Sequence, residues 1–369
     1  MSCRRLVIEL LTLHKDMAYG FQQYILNILD YFHAHREDIL YDQIILCCKD
    51  TEEPLLSKYA DKFQIMGLHV RNYAERLWYQ TSLPIKLRLS GQDLLMSPAN
   101  TSGLIKRCPE LLVIHDLLFK RKELCNPHVR YHRSFYVPRS IRKADRIVAI
   151  SDSTRHDIEQ HYPQSKGKID VIYNPIHFSK FDGDSETMDV GSDYFLAISS
   201  SSNFKNQITI LRSFQQYRET GGEKRLVMVG LKSPISESCI FFETMPQDIK
   251  DGIIWKSGLS NPELGCLYRQ ASCYISASKF EGLGMPVIEA MSFGLPVVLS
   301  DIPVHREVSQ GRGSYFPSTD VDKLASIMKE MDFRKRDYAE LIRSTYSDHN
   351  TSARYVELIN RMWNGYSLT

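Results

Sequence analysis

Short apolar runs alternate with longer amphipathic segments along the whole chain, and the pattern restarts near residue 194. Because apolar runs separated by helical segments are typical of parallel strands covered by helices on both faces, this alternation predicts an α/β fold with parallel sheets. The strand candidates are residues 6–13, 44–48, 93–96, 111–115, 146–150 and 169–173 in the first half, and 194–198, 226–230, 273–277 and 296–300 in the second.

The length of 369 residues favours two domains rather than one. Asn174-Pro175-Ile176 is typical of a short crossing between domains, and the polar residues 182–192 after it are expected to form an exposed linker. We therefore predict an N-terminal domain over 1–175 and a second domain over 176–345.

Residues 280–298, FEGLGMPVIEAMSFGLPVV, contain two carboxylates eight positions apart, Glu281 and Glu289. Glu281 is followed by a glycine-rich turn, which leads into the predicted helix that contains Glu289. The turn consists of Gly282, Leu283, Gly284, Met285 and Pro286. Both glutamates are expected to face one pocket at the helix N-terminus, where unpaired amides attract phosphates and hydroxyl oxygens. A nucleotide sugar has that chemistry. The alternative is a purely structural turn, since such turns are common and glutamate is a good helix former.

Three further residues occupy positions that suit a ligand site. Lys205 lies in a serine-rich turn after the strand candidate 194–198, from which it could reach phosphates; otherwise it begins a solvated helix. His115 ends the run 111–115, and polar groups at the carboxyl ends of parallel strands face the ligand crevice, although a lone histidine is more often structural. Gly20 opens the first helix, where it either admits a phosphate or only shapes the turn.

The motif at 281–298 resembles the signature of group 1 glycosyltransferases, family four, and the resemblance extends through Asp301 and Glu307. It implies the GT-B fold, in which two Rossmann-like domains face a cleft and a C-terminal helix, here 346–369, packs back on the first domain. It also implies that Glu281 lies by the donor sugar, that the loop amides meet sugar and phosphates, and that Glu289 binds the ribose.

The same resemblance extends to the other candidates. It implies that Lys205 holds the donor pyrophosphate, that the amides near Gly20 approach the phosphates, and that His115 lies by the donor sugar and acceptor. Many relatives also carry an arginine near the lysine, where this chain has Phe204 and Ser199-Ser200, and a second glycine where it has Gln22. Lys232 is a candidate substitute for the missing cation.

The predicted function is transfer of a sugar, with retention of configuration, from a UDP- or GDP-sugar to a glycan or lipid-linked oligosaccharide. The resemblance implies a role in bacterial surface polysaccharide assembly, such as lipopolysaccharide, O-antigen or capsule. Two alternatives stay open. One is a sugar-nucleotide epimerase-like enzyme, and the other is a degenerate subunit that binds a nucleotide sugar without turnover.

Residues 101–150 contain 11 basic and 4 acidic side chains, interleaved with aromatic residues. The basic residues within 106–146 either form solvated helix faces or attract an anionic membrane surface, and we expect peripheral membrane contact. Nucleic acid is a poorer fit, because the net charge is only +2 and no binding motif is present.

Location and cofactors follow from simple patterns. No apolar run approaches 18 residues and the eight cysteines form no CxxC pair, so a cytoplasmic protein with reduced thiols is expected. Asp182-Gly183-Asp184 spells a metal-binding Asp-x-Asp pattern, but it falls in the polar linker. The sequence therefore predicts no metal and no other cofactor.

Overall fold

The computed structural model describes residues 3–13, 19–49, 54–183, 190–200, 202–230 and 233–365, without the side chains of residues 19, 73 and 76. The chain divides into two compact units. The first comprises residues 1–176 together with 346–369, and the second comprises residues 177–345.

The first unit is a parallel sheet with helical connections. Its strands lie in the order β3-β2-β1-β4-β5-β6-β7. In chain order, its elements up to the crossing are β1 (Arg5–Leu10), α1 (Tyr19–Ala34), β2 (Gln43–Cys48), β3 (Gln64–Gly67), α2 (Tyr73–Lys86), β4 (Leu94–Ser97), β5 (Glu110–Ile114), α3 (Pro127–Lys143), β6 (Arg146–Ala149), α4 (Asp152–His161) and β7 (Ile169–Val171).

The centre of this sheet is buried on both faces, as the near-continuous apolar runs predict. Every residue of β5 is buried, and Leu112 pairs with Ile147 of β6 in a parallel register. A polar side chain caps the following helix, α4: the Ser151 hydroxyl accepts from the Thr154 amide at 3.0 Å, so Ser151 is the N-cap.

The first strand is shorter than predicted. Residues 6–13 were expected to be extended, but β1 ends at Leu10 and the Leu13 amide donates to the Leu10 carbonyl at 2.9 Å in a tight turn. The apolar side chains of Leu11 and Leu13 are buried in that turn. Their burial explains why the sequence alone predicts a longer strand.

The second unit repeats the architecture with six parallel strands in the order β10-β9-β8-β11-β12-β13. Its elements are β8 (Tyr194–Ile198), α5 (Gln207–Glu219), β9 (Arg225–Val229), α6 (Glu237–Thr244), α7 (Gln247–Lys250), β10 (Ile253–Lys256), α8 (Asn261–Gln270), β11 (Cys273–Ser276), α9 (Met285–Ser292), β12 (Val297–Ser300), α10 (Pro303–Val308), β13 (Ser314–Phe316), α11 (Val321–Glu330) and α12 (Ala339–Tyr346).

Each sheet has one point at which the strand order reverses. In the first unit this point lies between β1 and β4, and in the second it lies between β8 and β11. Ligands of doubly wound sheets bind outside the carboxyl ends of the strands at such a point. The loops that follow these four strands are therefore where site residues are expected.

The last helix, α13 (Asp348–Gly365), belongs to the first unit and packs on α1. The hydroxyls of Tyr24 on α1 and Tyr355 on α13 lie 2.9 Å apart, and both side chains are fully buried. None of the described helices is long and apolar enough to cross a membrane.

Candidate functional site

Lys205 and Glu281 meet at the reversal point of the second sheet. Lys205 lies in the turn after β8 and Glu281 in the loop after β11, so neighbouring strands deliver the two side chains to the same edge. The Lys205 Nζ lies 2.6 Å from the Glu281 Oε1, and the side chains are only 18% and 12% exposed. The sequence predicted that both residues bind a ligand, and the structure brings them together as an ion pair.

The Glu281 carboxylate is held in its ionised form. The Ser278 hydroxyl donates to the same Oε1 at 2.7 Å. Burial opposes ionisation, but the Lys205 ammonium, the nearby His305 and the Ser278 hydroxyl outweigh it and lower the Glu281 pKa below its usual value. Glu281 is therefore a fixed anion that accepts hydrogen bonds.

Backbone contacts clamp the two turns to each other. The Lys279 amide donates to the Phe204 carbonyl at 2.7 Å. Asn206 adopts a left-handed conformation with φ of 54°, which asparagine tolerates, and its side-chain amide donates to the Ala277 carbonyl at 3.0 Å. The positions of Lys205 and Glu281 are thus fixed by the loops as well as by their own ion pair.

The glycine-rich turn leads directly from Glu281 into α9. Gly284 is the N-cap, with φ of 82°, a conformation that strains any residue with a Cβ. Leu283 anchors the turn with a side chain that is 3% exposed, while Met285 and Pro286 form the first two helical positions. Gly282 lies between this anchor and Glu281. Contacts between a ligand and the amides of this turn stay a prediction.

Glu289 is buried one turn into α9 and has two partners. Its Oε1 lies 2.8 Å from the Lys180 Nζ, and its Oε2 accepts from the Tyr268 hydroxyl at 2.9 Å. Sequence reasoning missed both partners, because nothing local to Lys180 or Tyr268 points to a residue so far along the chain. Each carboxylate oxygen can accept a second hydrogen bond, so ribose binding at Glu289 stays a prediction.

His305 on α10 lies close to this group and was also missed. Its side chain is fully buried, and Nδ1 lies 2.9 Å from the Ser300 carbonyl oxygen at the end of β12. A Cβ built on Gly284 would lie 3.9 Å from its Nε2, so the ring packs under the turn. The signal that could have found it is its place just after a strand of the same sheet.

His115 lies at the carboxyl end of β5 in the first unit and is neutral. Its Nε2–H donates to the Pro98 carbonyl at 2.7 Å, which leaves Nδ1 as an acceptor. The rings of Tyr24 and Phe21 pack against it with centroids 4.6 and 4.9 Å away. Burial lowers the His115 pKa to about 4.

Gly20 is the second residue of α1 and is exposed. A Cβ there would meet nothing within 4 Å, so the described residues give no steric reason for glycine. An approach of its amide to a phosphate stays a prediction. Lys232, the candidate substitute cation, and Asp184 of the Asp-x-Asp pattern lie outside the described residues.

The basic region 106–146 is partly consumed by internal ion pairs. The pairs join Lys106 to Asp145, Arg133 to Asp116, Lys143 to Glu110 and Arg146 to Asp170. These basic side chains serve the packing of the first unit, so the region is less available for a partner than its composition indicates.

One exposed face of α3 carries a narrow stripe of basic and aromatic side chains, which we call the α3 stripe. It consists of His128, Tyr131, Phe135, Arg139 and Arg142, spaced three or four residues apart and hence on one helix face. Tyr131 is 85% exposed and Phe135 42% exposed. The Arg139 guanidinium lies 3.6 Å from the centre of the Phe135 ring. The stripe thus combines exposed aromatic rings with positive charge.

Among the described residues, no group of three or more histidine, cysteine, aspartate or glutamate side chains could hold a metal ion. Group 1 glycosyltransferases of family four are in general metal-independent.

Comparison with known proteins agrees with the geometry. The family model described as "Glycosyl transferases group 1" matches residues 180–348, and the model "Glycosyltransferase Family 4" matches residues 20–180. The O-antigen chain mannosyltransferase RfbU of Salmonella typhimurium is 25% identical over 256 residues, which are 69% of this chain and 69% of that protein.

A second relative is the GDP-mannose:cellobiosyl-diphosphopolyprenol alpha-mannosyltransferase of Komagataeibacter xylinus. It is 26% identical over 235 residues, which cover 61% of this chain but only 58% of that protein. Among solved structures, the sucrose-phosphate synthase of Thermosynechococcus elongatus superposes with a TM-score of 0.73 at 13% identity, covering 98% of this chain and 100% of that one. The two Rossmann-like domains predicted from the sequence are confirmed, and the chain belongs to the group 1 glycosyltransferases of family four.

Proposed function

We propose that this glycosyltransferase moves a mannosyl residue from GDP-mannose to a lipid-linked glycan during assembly of a bacterial surface polysaccharide, with retention of configuration. The observation that carries the proposal is the Lys205–Glu281 pair at the reversal point of the second sheet. The choice of mannose rests on the similarity to mannosyltransferases of O-antigen and polyprenol-linked glycans.

The pair supplies the two kinds of group that a nucleotide sugar needs. In this proposal the Lys205 ammonium binds the diphosphate, and Glu281 accepts hydrogen bonds from sugar hydroxyls. Departure of the diphosphate creates negative charge on the phosphate oxygens and positive charge on the sugar. A preorganised cation and anion that are largely shielded from water stabilise both charges with little rearrangement.

The state of Glu281 favours front-side attack over a covalent intermediate. Its Oε1 is engaged by Lys205 and Ser278, and its pKa is below the usual value, so it is a weak nucleophile. In the proposed reaction the leaving phosphate accepts the proton of the attacking hydroxyl. Trapping of a sugar covalently bound to Glu281 would overturn this mechanism.

The neutral His115 suits a contact with uncharged hydroxyl groups. Its Nε2–H is committed to the Pro98 carbonyl, and the packed rings of Tyr24 and Phe21 fix the imidazole plane. The remaining Nδ1 accepts hydrogen bonds. We therefore assign His115 to positioning a hydroxyl of the donor sugar or the acceptor.

The α3 stripe supports peripheral contact with an anionic membrane surface. Aromatic side chains insert at the level of lipid headgroups, and each arginine near such a surface contributes about 1 kcal/mol. A lipid-linked acceptor would be presented at that surface. The stripe thus offers a physical reason for the 11 basic against 4 acidic side chains of residues 101–150.

The test is a donor panel with purified protein and a polyprenyl-diphosphate-linked oligosaccharide as acceptor. We expect the acceptor to gain one hexose from GDP-mannose and none from UDP-glucose, UDP-galactose or ADP-glucose. Mass spectrometry measures the added mass, and NMR gives the configuration of the new anomeric centre. Conversion of a nucleotide sugar without acceptor would favour the epimerase alternative instead.

Glu281→Gln tests the site in the same assay. We expect its kcat/KM to fall by about 10²–10³-fold, because the group that faces the developing charge is neutralised. The matched control is Glu237→Gln, which removes an exposed carboxylate that lies 3.3 Å from Arg212 in the same unit. Equal activity in the two variants would contradict the assignment of Glu281.

A further inference from the structure

His305 is a buried titratable group beside the ion pair that has no role in the reaction described so far. It lies on α10, which follows β12, and its side chain has no exposed surface. The ring is close enough to Glu281 and Lys205 for both charges to act on it. A buried histidine at the edge that is proposed to bind a diphosphate calls for an explanation.

The hydrogen bonds fix which ring nitrogen carries the proton. The Ser300 hydroxyl donates to the Ser278 carbonyl at 2.5 Å, so its oxygen can only accept from His305. The Ser300 carbonyl, 2.9 Å from Nδ1, is also an acceptor. Nδ1 therefore bears the hydrogen, and in the neutral ring Nε2 carries an unshared electron pair.

That Nε2 is a buried acceptor without a hydrogen-bond partner among the residues that the structure describes. It lies under Gly284, next to the turn that carries Glu281. A buried nitrogen lone pair without a partner, on a ring that feels the Glu281 carboxylate, is unfavourable, and a proton on Nε2 would remove this cost. The site thus has a place for one more proton.

The charges around the ring explain why this proton is absent in the unliganded protein. Burial lowers the His305 pKa; Glu281 acts in the opposite direction, and Lys205 again lowers it. On α10 itself Arg306 pairs with Asp301 at 2.6 Å near the surface, where the two charges compensate each other. Lys205 therefore serves as the counter-charge of Glu281, and the ring stays neutral.

We propose that His305 takes up a proton when a nucleoside-diphosphate sugar binds, so that the imidazolium becomes a second cation beside Glu281. The inference rests on the proposed function, in which the diphosphate engages the Lys205 ammonium. Binding then adds negative charge to an edge at which the Lys205 ammonium already balances Glu281, so the edge gains room for one more positive charge. The proton comes from solvent and binds Nε2, while Nδ1–H stays on the Ser300 carbonyl.

Proton uptake on binding has a defined sign. A ligand that raises the pKa of a group binds more tightly at lower pH, so the affinity for donor falls as the pH rises through the window between the free and the bound pKa. The free value lies below 6.5, because the pKa is lowered from that ordinary value. Above the pKa of His305 in the free protein, we expect the dissociation constant of GDP-mannose to rise by up to about tenfold per pH unit.

The experiment is isothermal titration calorimetry of the whole protein with GDP-mannose at pH 7, in buffers that differ in ionisation enthalpy. The dependence of the observed enthalpy on the buffer gives the number of protons taken up, and about one is expected for the wild type. In His305→Asn the amide retains a donor to the Ser300 carbonyl but cannot be protonated, so uptake should fall to about zero. His305→Gln serves as a second variant, and thermal unfolding verifies that both fold.

The control is His156→Asn, which changes an exposed histidine on α4 of the first unit and should leave the proton uptake unchanged. Uptake of the same size in wild type and His305→Asn would overturn the role of His305 and leave the proposed function intact. The site of protonation would then be another group, such as Glu281. Failure of GDP-mannose, GDP and UDP to bind the wild type would overturn both.

Discussion

The two sheets share a strand order but present different chemistry at their carboxyl edges. At the edge of the second sheet the side chains are charged and paired: Lys205 with Glu281, and Lys180 with Glu289. At the edge of the first, His115 is neutral and packed between aromatic rings. Topology places the edge, whereas the local sequence decides whether the group presented there is an ion pair or a neutral imidazole ring.

This difference teaches how a duplicated architecture can divide one reaction. A charged edge suits a diphosphate, whose binding depends on positive charge. A neutral imidazole such as His115 suits an uncharged hydroxyl group, from which its second ring nitrogen can accept a hydrogen bond. The following predictions test whether the two edges differ in this way.

The largest effect is expected from breaking the buried Lys180–Glu289 pair. The side chains are 9% and 7% exposed, so Lys180→Met leaves an uncompensated carboxylate and should lower the free energy of unfolding by about 3 kcal/mol. The first unit offers the contrast: Tyr24→Phe removes a neutral hydroxyl that is 2.9 Å from Tyr355 and should cost about 1 kcal/mol. Thermal and urea unfolding measure both.

The double variant Lys180→Met with Glu289→Gln checks the cause. Because it removes both charges, it should recover most of the stability that Lys180→Met loses. If the double variant is as unstable as Lys180→Met alone, the loss of stability comes from altered packing rather than from the unpaired carboxylate.

The next largest effect separates the two edges by ligand binding. Lys205→Met should raise the dissociation constant of GDP by about 10- to 100-fold, because a charge-assisted contact with phosphate is lost. His115→Ala should leave GDP binding within about twofold and should instead lower kcat. Calorimetry gives the dissociation constant of GDP, and steady-state kinetics give kcat. Weakened GDP binding in His115→Ala would contradict the proposed difference between the edges.

The smallest effect is expected at the α3 stripe. Arg142→Gln should weaken binding to vesicles containing anionic phosphatidylglycerol by about fivefold, which corresponds to about 1 kcal/mol per basic residue. The control is Lys166→Gln, which removes an exposed positive charge elsewhere in the first unit. Co-sedimentation with anionic and neutral vesicles measures the binding. An equal loss of binding in both variants would mean that overall charge, rather than the α3 stripe, governs binding to the vesicles.

The central strands were predictable because their signal is local. β8 was predicted at its observed bounds, since Tyr194–Ile198 is a continuous apolar run. The three strands that were missed, β3, β10 and β13, all lie at sheet edges. An edge strand such as β3 begins with exposed Gln64 and buries little apolar surface, so its sequence resembles a loop.

The residues of the candidate site were predictable only where, as for the central strands, the signal is local. Lys205 and Glu281 follow strand candidates, so their approach follows from topology alone. Lys180 lies 109 positions from Glu289, and no local pattern links the two. His305 could be noticed only as a polar residue after β12, because its burial depends on how α10 packs under Gly284.

The position of α13 has a consequence for biosynthesis. The helix completes the first unit through the Tyr24–Tyr355 contact, yet the ribosome makes it after the whole of the second unit. At bacterial translation rates the intervening residues require roughly ten to thirty seconds. During that time the nascent first unit exposes the face of α1 that α13 later covers, so chaperone binding during translation should concentrate on that face.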